Sequence, residues 1–312
     1  MIKFLKKPFV YAGIFSVLLV SLDSYVLLKT FVLPSAIISV KEENKDNLNQ
    51  DSNSHIGKDN TEPNNTATIT DSSYEDSNIK ISIDTIRKYD TTIYIADVSI
   101  SSAEYLKTAL AQDTFGTNIT EKTSSIASEK NAILAINGDY YGANSKGYVI
   151  KSGVLYRNTI RENADYEDLV IYKDGTFGII NENDISGEEL IENGVTNLFA
   201  FGPTLIENDN ISVTENGEVK RAMSSNPRTA IGIVDNLHYI ILVSDGRTSE
   251  SIGLSLYETA QVMAEYGCNI AYNLDGGGSS TLYFNGEIIN NPTTNGKRIS
   301  ERSVSDIVYI GY

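Results

Sequence analysis

From Pro8 to Leu28 the chain runs almost without a polar side chain, interrupted only by Ser16, Ser21, Ser24 and Asp23. A helix of roughly 20 such residues spans the hydrocarbon of a bilayer, so this run divides the chain into an anchor and a remainder. Lys3, Lys6 and Lys7 lie on its N-terminal flank. That bias sets residues 1–7 in the cytoplasm as a short tail. The run is longer than a signal-peptide core, and no small-x-small cleavage pattern comes after it. We read an uncleaved transmembrane signal anchor over residues 8–28. The alternative is a cleaved signal peptide, and both place the main domain outside the cytoplasm. Asp23 is costly at depth, but near one end of the span it reaches the interface.

Residues 29–78 form a membrane-proximal segment that passes into a polar tract rich in Asn, Asp, Ser and Glu. Such a tract cannot bury enough apolar surface to offset its ordering entropy, so it is expected to be a disordered linker. The folded domain is then expected over 79–312. At 41% hydrophobic residues the whole chain has ample material for a core. Its formal net charge of −16 opposes sequence-independent binding to nucleic acid, and no such partner is expected. One Cys excludes an intramolecular disulfide framework, and two His are too few for a histidine metal centre. Aspartate-rich loops suit calcium chemically but lack EF-hand spacing. No metal site and no cofactor are assigned, with a divalent cation such as calcium left open.

From Ile79 onward, short β-rich runs alternate with a few helical stretches. Ile79–Ile83 and Thr92–Ser99 alternate as strands. Asp174-Gly175 and Asp235-Asn236 join pairs of apolar runs as hairpin turns, and Asn285-Gly286 makes a third. Thr123–Lys130 reads as a short helix. Ser255 with Glu258 is a capping box, followed by Leu256, Ala260 and Met263 on one helical face and a stop at Gly267. Strands outnumber helices, and helices feed strands only in places. The fold class expected is α+β: a mixed β-sheet domain with a few packed helices, preceded by one N-terminal transmembrane helix.

Three apolar runs end in Asp or Asn beside Gly: Ala-Ile-Asn-Gly-Asp-Tyr-Tyr-Gly at 135–142, Leu-Val-Ser-Asp-Gly-Arg at 242–247, and Asn-Leu-Asp-Gly-Gly-Gly-Ser-Ser-Thr at 273–281. One such end alone is ordinary turn chemistry. Three together suggest a shared sheet edge where carboxylates and amides converge. Period-2 geometry puts Asn137 with Asp139, and Asn273 with Asp275, on common faces. Consecutive glycines admit a ligand close to the backbone, and their N–H groups can cradle an anion. No Gly-Lys-Ser/Thr comes next, so this is not a nucleotide P-loop. Arg228, Arg247 and Arg302 border these motifs, and a guanidinium fork suits phosphate or carboxylate. His238 and Cys268 are expected to be structural.

Asn-Gly-Asp-Tyr-Tyr, Asn-Pro-Arg-Thr-Ala-Ile-Gly, Asp-Gly-Arg, Asn-Leu-Asp-Gly-Gly-Gly-Ser-Ser-Thr and the terminal Arg302-Ser-Val-Ser-Asp306, in that order, resemble the phosphodiester glycosidase family. That is the family of N-acetylglucosamine-1-phosphodiester α-N-acetylglucosaminidase, with bacterial envelope members described as exopolysaccharide-related. The likeness covers about residues 90–312. It implies hydrolysis of a sugar-1-phosphodiester at the glycosidic C–O bond, releasing free sugar and a phosphomonoester. The mammalian member has disulfides and further modules that this chain lacks, so its substrate is not carried over. On this resemblance Arg228, Arg247 or Arg302, with the amides of Gly276, Gly277 and Gly278, hold the phosphate. Asp139, Asp245 and Asp275 are candidates for base, nucleophile or sugar-hydroxyl binding. Asn137, Gly138, Thr229, Asn273, Ser279, Ser280 and Thr281 complete the substrate-binding candidates. The expected partners are a phosphorylated glycan or sugar-1-phosphodiester and, through the helix, the membrane. Two rival readings are a metal-dependent phosphodiesterase that cuts P–O and a non-catalytic binder of surface phosphoglycans.

Overall fold

A strand that is apolar at every position needs cover on both faces, and the central strands here have it. In the computed structural model, which describes residues 8–39, 67–161, 167–215 and 225–312, the strand His238–Ser244 lies in the middle of a nine-stranded sheet. Its Tyr239, Ile241 and Val243 face the main core. Its Ile240 and Leu242 face the opposite way, onto the helix Leu256–Glu265, whose Leu256, Ala260 and Met263 meet them. A five-stranded sheet repeats the pattern. Leu134 and Ile136 of the strand Leu134–Asn137, with Val308 and Ile310 of Asp306–Ile310, enter the main core. Ala135, Ile307 and Tyr309 turn outward against Ile126 and Ala127 of the helix Thr123–Glu129. The layers are therefore helix, nine-stranded sheet, five-stranded sheet, helix. A three-stranded sheet supplies Leu169, Ile171 and Phe199 to the same core.

The fold is α+β, with four α-helices among the described residues. Every ladder among those residues is antiparallel, where a mixed sheet was expected. The reason lies in one insertion. The helix Leu256–Glu265 connects His238–Ser244 to Ile270–Asn273, and these two strands run in the same direction. Thr229–Asp235 is threaded between them, antiparallel to both, so the helical crossover makes no parallel pair.

Turns and caps obey their local chemistry. The box at Ser255 forms, its side chain accepting from the Glu258 N–H, and Ser186 with Glu189 makes a second at the helix Gly187–Glu192. Gly267 ends the longer helix at φ +80°.

The helix Pro8–Phe31 is exposed along its length and is long and apolar enough to cross a membrane. The tail 1–7 and most of the linker lie outside the described residues. Two parts of 29–78 are ordered, however. Ser35–Ser39 pairs with Thr114–Thr117, and Thr68–Ile69 and Ser73–Glu75 extend one edge of the nine-stranded sheet. The domain thus begins about ten residues before Ile79, because Tyr74 is apolar enough to enter the core beside Ile81.

Candidate active site

The expected convergence occurs at one end of the two main sheets. The strand Leu134–Asn137 finishes there, opposite the start of Leu282–Phe284 and of Asp306–Ile310. Ile270–Asn273 and His238–Ser244 finish there in the nine-stranded sheet, where Thr229–Asp235 begins.

Asn137 ties the two sheets together. Its Nδ2 donates to the carbonyls of Asp275 at 2.6 Å and Gly138 at 3.2 Å. Its Oδ1 accepts from Thr229 Oγ1 at 2.8 Å and from the Thr281 N–H at 3.3 Å. All four hydrogen-bonding positions of the amide are filled inside the protein. The Asp275 N–H donates to the Gly138 carbonyl at 3.2 Å, which brings the 135–142 and 273–281 motifs into direct contact. Asn137, Thr229, Ser280 and Thr281 are fully buried. Asn137 and Thr229 are hydrogen-bonded to one another within this junction. Asn273 likewise points inward, its Nδ2 donating to the Gly202 carbonyl at 2.8 Å.

The glycine loop carries an ionic triangle. Arg302 donates from Nε to Ser279 Oγ at 2.8 Å and from Nη2 to Asp275 Oδ2 at 2.7 Å, while Ser279 donates to the same carboxylate oxygen at 2.6 Å. Asp275 is nearly buried, whereas the Arg302 side chain is 40% exposed. Arg247 lies on the other side. Gly277 has φ +63°, a left-handed backbone that glycine adopts freely, and a Cβ there would stand 2.7 Å from Arg247 Nη2, so a side chain would displace the guanidinium. Asn226 Oδ1 accepts from Arg247 Nε at 3.2 Å and from its Nη2 at 3.0 Å. Its Nη1 donates to the Thr294 carbonyl at 2.6 Å. Burial, and then the neighbouring Arg302 charge, lower the Arg247 pKa from its ordinary value. Two guanidinium groups therefore face the same loop in an acidic protein.

The remaining candidates separate. Arg228 is buried and donates from Nε to the Leu254 carbonyl at 2.8 Å. Asp245 accepts from the backbone and side-chain nitrogens of Asn291 at 2.7 and 3.0 Å, so it holds the 290–296 loop. Asp139 lines a cavity of about 480 Å³, together with Tyr140, Arg157, Arg161 and Phe201. Its oxygens accept the N–H groups of Tyr141 at 3.0 Å and Ala200 at 3.1 Å.

Sequence reasoning missed what lies beneath Asp139. Lys151, almost wholly buried, stands 2.6 Å from Asp306 Oδ2 and 3.9 Å from Asp139 Oδ2. Burial drives the Asp306 carboxyl up to about 7, against the pull of the Lys151 charge. Gly138 lets the chain cross this carboxylate, since a Cβ there would stand 2.4 Å from Asp306 Oδ1. In the sequence, Lys151 precedes Ser-Gly at the end of an apolar run and looks like ordinary turn chemistry. Arg161, in the cavity wall, binds Glu182 and Asp168 and donates to the Ala200 carbonyl. His238 sits 2.9 Å from Asp97 on a strand, and Cys268 is a buried thiol pushed up to about 12 by desolvation.

Comparison with known proteins places the fold and the family. An uncharacterised protein, YomE, derived from the SPbeta prophage of Bacillus subtilis is 32% identical over 203 residues, 64% of this chain and 31% of the relative. N-acetylglucosamine-1-phosphodiester α-N-acetylglucosaminidase of Mus musculus is 29% identical over 180 residues, 51% of this chain and 33% of the relative. The chain thus spans about a third of the length of these curated relatives. The catalytic domain of the zebrafish N-acetylglucosamine-1-phosphodiester α-N-acetylglucosaminidase, solved in a form auto-inhibited by its pro-peptide, shares the fold. Its TM-score is 0.59 at 23% identity, over 75% of this chain and 83% of that one. The family model for phosphodiester glycosidases matches residues 130–311, more than half of the sequence, and takes in all three strand-end motifs. With the edge where those motifs meet inside that match, the chain belongs to the phosphodiester glycosidase family.

Proposed function

We propose that this protein is an extracytoplasmic hydrolase that cleaves the glycosidic C–O bond of a sugar-1-phosphodiester in a cell-envelope glycan. The carrying observation is the pair Arg247 and Arg302 on the Gly276–Gly278 loop, beside the carboxylate of Asp275. A phosphomonoester is a good leaving group and needs stabilisation of charge more than a proton. In this reading the two guanidinium groups and the loop amides take up the charge that develops on the departing phosphate. Water adds its oxygen to the sugar C1, the C1–O bond breaks, and the phosphate oxygen keeps the bonding electron pair. Asp139, which opens into the cavity, and Asp275 divide the tasks of activating water and stabilising the oxocarbenium-like centre. Arg228 and Asp245 act as positioning residues for the loops that carry Arg247. The apolar helix holds the domain at the outer face of the membrane.

The test is hydrolysis of a panel of sugar-1-phosphodiesters by the full-length chain in detergent, run in water enriched in heavy oxygen. Label in the sugar supports the glycosidase reading. Label in the phosphate means P–O cleavage and sinks it. Saturable binding without turnover of any member makes the protein a phosphoglycan binder instead.

A further inference from the structure

The apolar helix meets the domain directly, ahead of the covalent link through residues 40–66. The helix ends at Phe31, and Ser35–Ser39 then pairs with Thr114–Thr117 as a two-stranded antiparallel ladder. Gly116 permits the approach, since a Cβ there would stand 2.1 Å from the Ser35 carbonyl oxygen. Asn118 closes the joint. Its Nδ2 donates to the carbonyls of Thr30 at 3.3 Å and Leu33 at 3.4 Å, in the region where a helix end leaves acceptors without intrahelical partners. Its backbone N–H donates to the Gly142 carbonyl at 3.1 Å. Gly142 lies between Tyr141 and Asn144, both of which line the Asp139 cavity. One residue therefore joins the end of the anchor to the short segment that carries two cavity-lining residues.

The cavity rim has the chemistry of a membrane interface. Tyr140 and Phe201 line it and are 48% and 38% exposed, and Ile160 nearby is 41% exposed. Lys146 stands on the same rim. Half-exposed aromatic rings and long cationic stems are what the headgroup zone accepts. Phe31, Val32, Leu33, Ile37 and Ile38 continue the exposed apolar surface from the helix toward the domain. The negative charge of the chain opposes approach to an anionic surface at long range. With three residues between the helix end at Phe31 and the paired strand at Ser35, the ladder sets a high local concentration that outweighs it.

We infer that the mouth of the Asp139 cavity rests in the headgroup zone of the membrane that holds the anchor, so that the substrate is a sugar phosphodiester whose far side carries a lipid. The substrate clause rests on the glycosidase reading; the docking does not.

The chain contains no Trp, so one introduced indole reports alone. The full-length protein is reconstituted in phosphatidylcholine vesicles containing a lipid with a shallow nitroxide quencher. Phe201→Trp should be quenched. Tyr312→Trp, six residues beyond Asp306 and thus roughly 20 Å from it along the strand, should not. Adding Gly116→Val should bring the Phe201→Trp signal to the Tyr312→Trp level. So should the pair Ile38→Pro and Ser39→Pro, which alters only the added strand and leaves the domain's own residues intact. Equal quenching at the two reporters, or quenching that survives both strand variants, overturns the docking.

The activity arm compares a lipid-bearing sugar-1-phosphodiester in the vesicles with its methyl counterpart in solution. The lipid-bearing diester should be preferred on the order of tenfold in kcat/KM. The strand variants should lose that preference and keep turnover of the methyl diester. Equal or better use of the methyl diester, with quenching present, overturns the substrate clause. Hydrolysis of neither, with quenching present, overturns the glycosidase reading and leaves the docking standing.

Discussion

Arg302 reaches Ser279 with Nε and Asp275 with Nη2, a fork that the single ammonium of lysine does not reproduce. Arg302→Lys is therefore expected to lower kcat/KM on the cleaved diester by about 100-fold, as loss of one oriented donor does. The comparison is with wild-type turnover at matched urea midpoints. Asp306 offers a pH signature. Burial raises its carboxyl from the ordinary 3.8 to about 7, so between those values the folded protein keeps a proton that the unfolded chain has released. The stability tied to this group is full below about pH 4, falls as pH rises toward 7, and is level beyond. Asp306→Asn should flatten that slope, read from urea midpoints taken across the range. Residues that announce themselves do so through their neighbours. Asp275 and Arg302 were legible because glycine and serine surround them. Lys151 was not, since nothing local separates a buried lysine from one in a turn.

At the level of elements, short local devices behave as their sequences require. Ser255 caps its helix, and Ser255→Ala should lower stability by about 1 kcal/mol through the loss of the bond to the Glu258 N–H. The check is a shift in urea midpoint at an unchanged m-value. The glycine loop is a stricter case. Gly277→Ala adds a Cβ 2.7 Å from Arg247 Nη2 in a left-handed backbone. We expect it to cost about 1–2 kcal/mol of stability and to lower kcat/KM at least as much as Arg247→Ala does. Normal turnover by Gly277→Ala would show that Arg247 need not sit on the loop. Hairpins were readable because Asp-Gly and Asn-Gly select their turns. The antiparallel order of the nine-stranded sheet was not, because the strand between two helix-linked strands comes from earlier in the chain.

Across the whole molecule, the two main sheets share one core and bring their ends to one edge. The strands at 68–75 belong to that assembly. A fragment 79–312 should be less stable than 67–312 by about 3 kcal/mol, from the lost burial of Tyr74 and the hydrogen bond of its hydroxyl to Asp76. Paired urea titrations of the two fragments measure it, and equal midpoints would restore the boundary at Ile79. By itself the sequence determined the N-terminal apolar helix, the caps, the hairpins and the strand-end motifs, because each depends on side chains within a few positions of one another. Only the tertiary structure decided which of those motifs meet. Asn137 reaches Asp275 across 138 positions of chain, and Lys151 reaches Asp306. It also decided that Asn137 and Thr229 are buried at that junction while Arg247 and Arg302 face outward. Burial and long-range contact are properties of packed layers, and no local pattern encodes them.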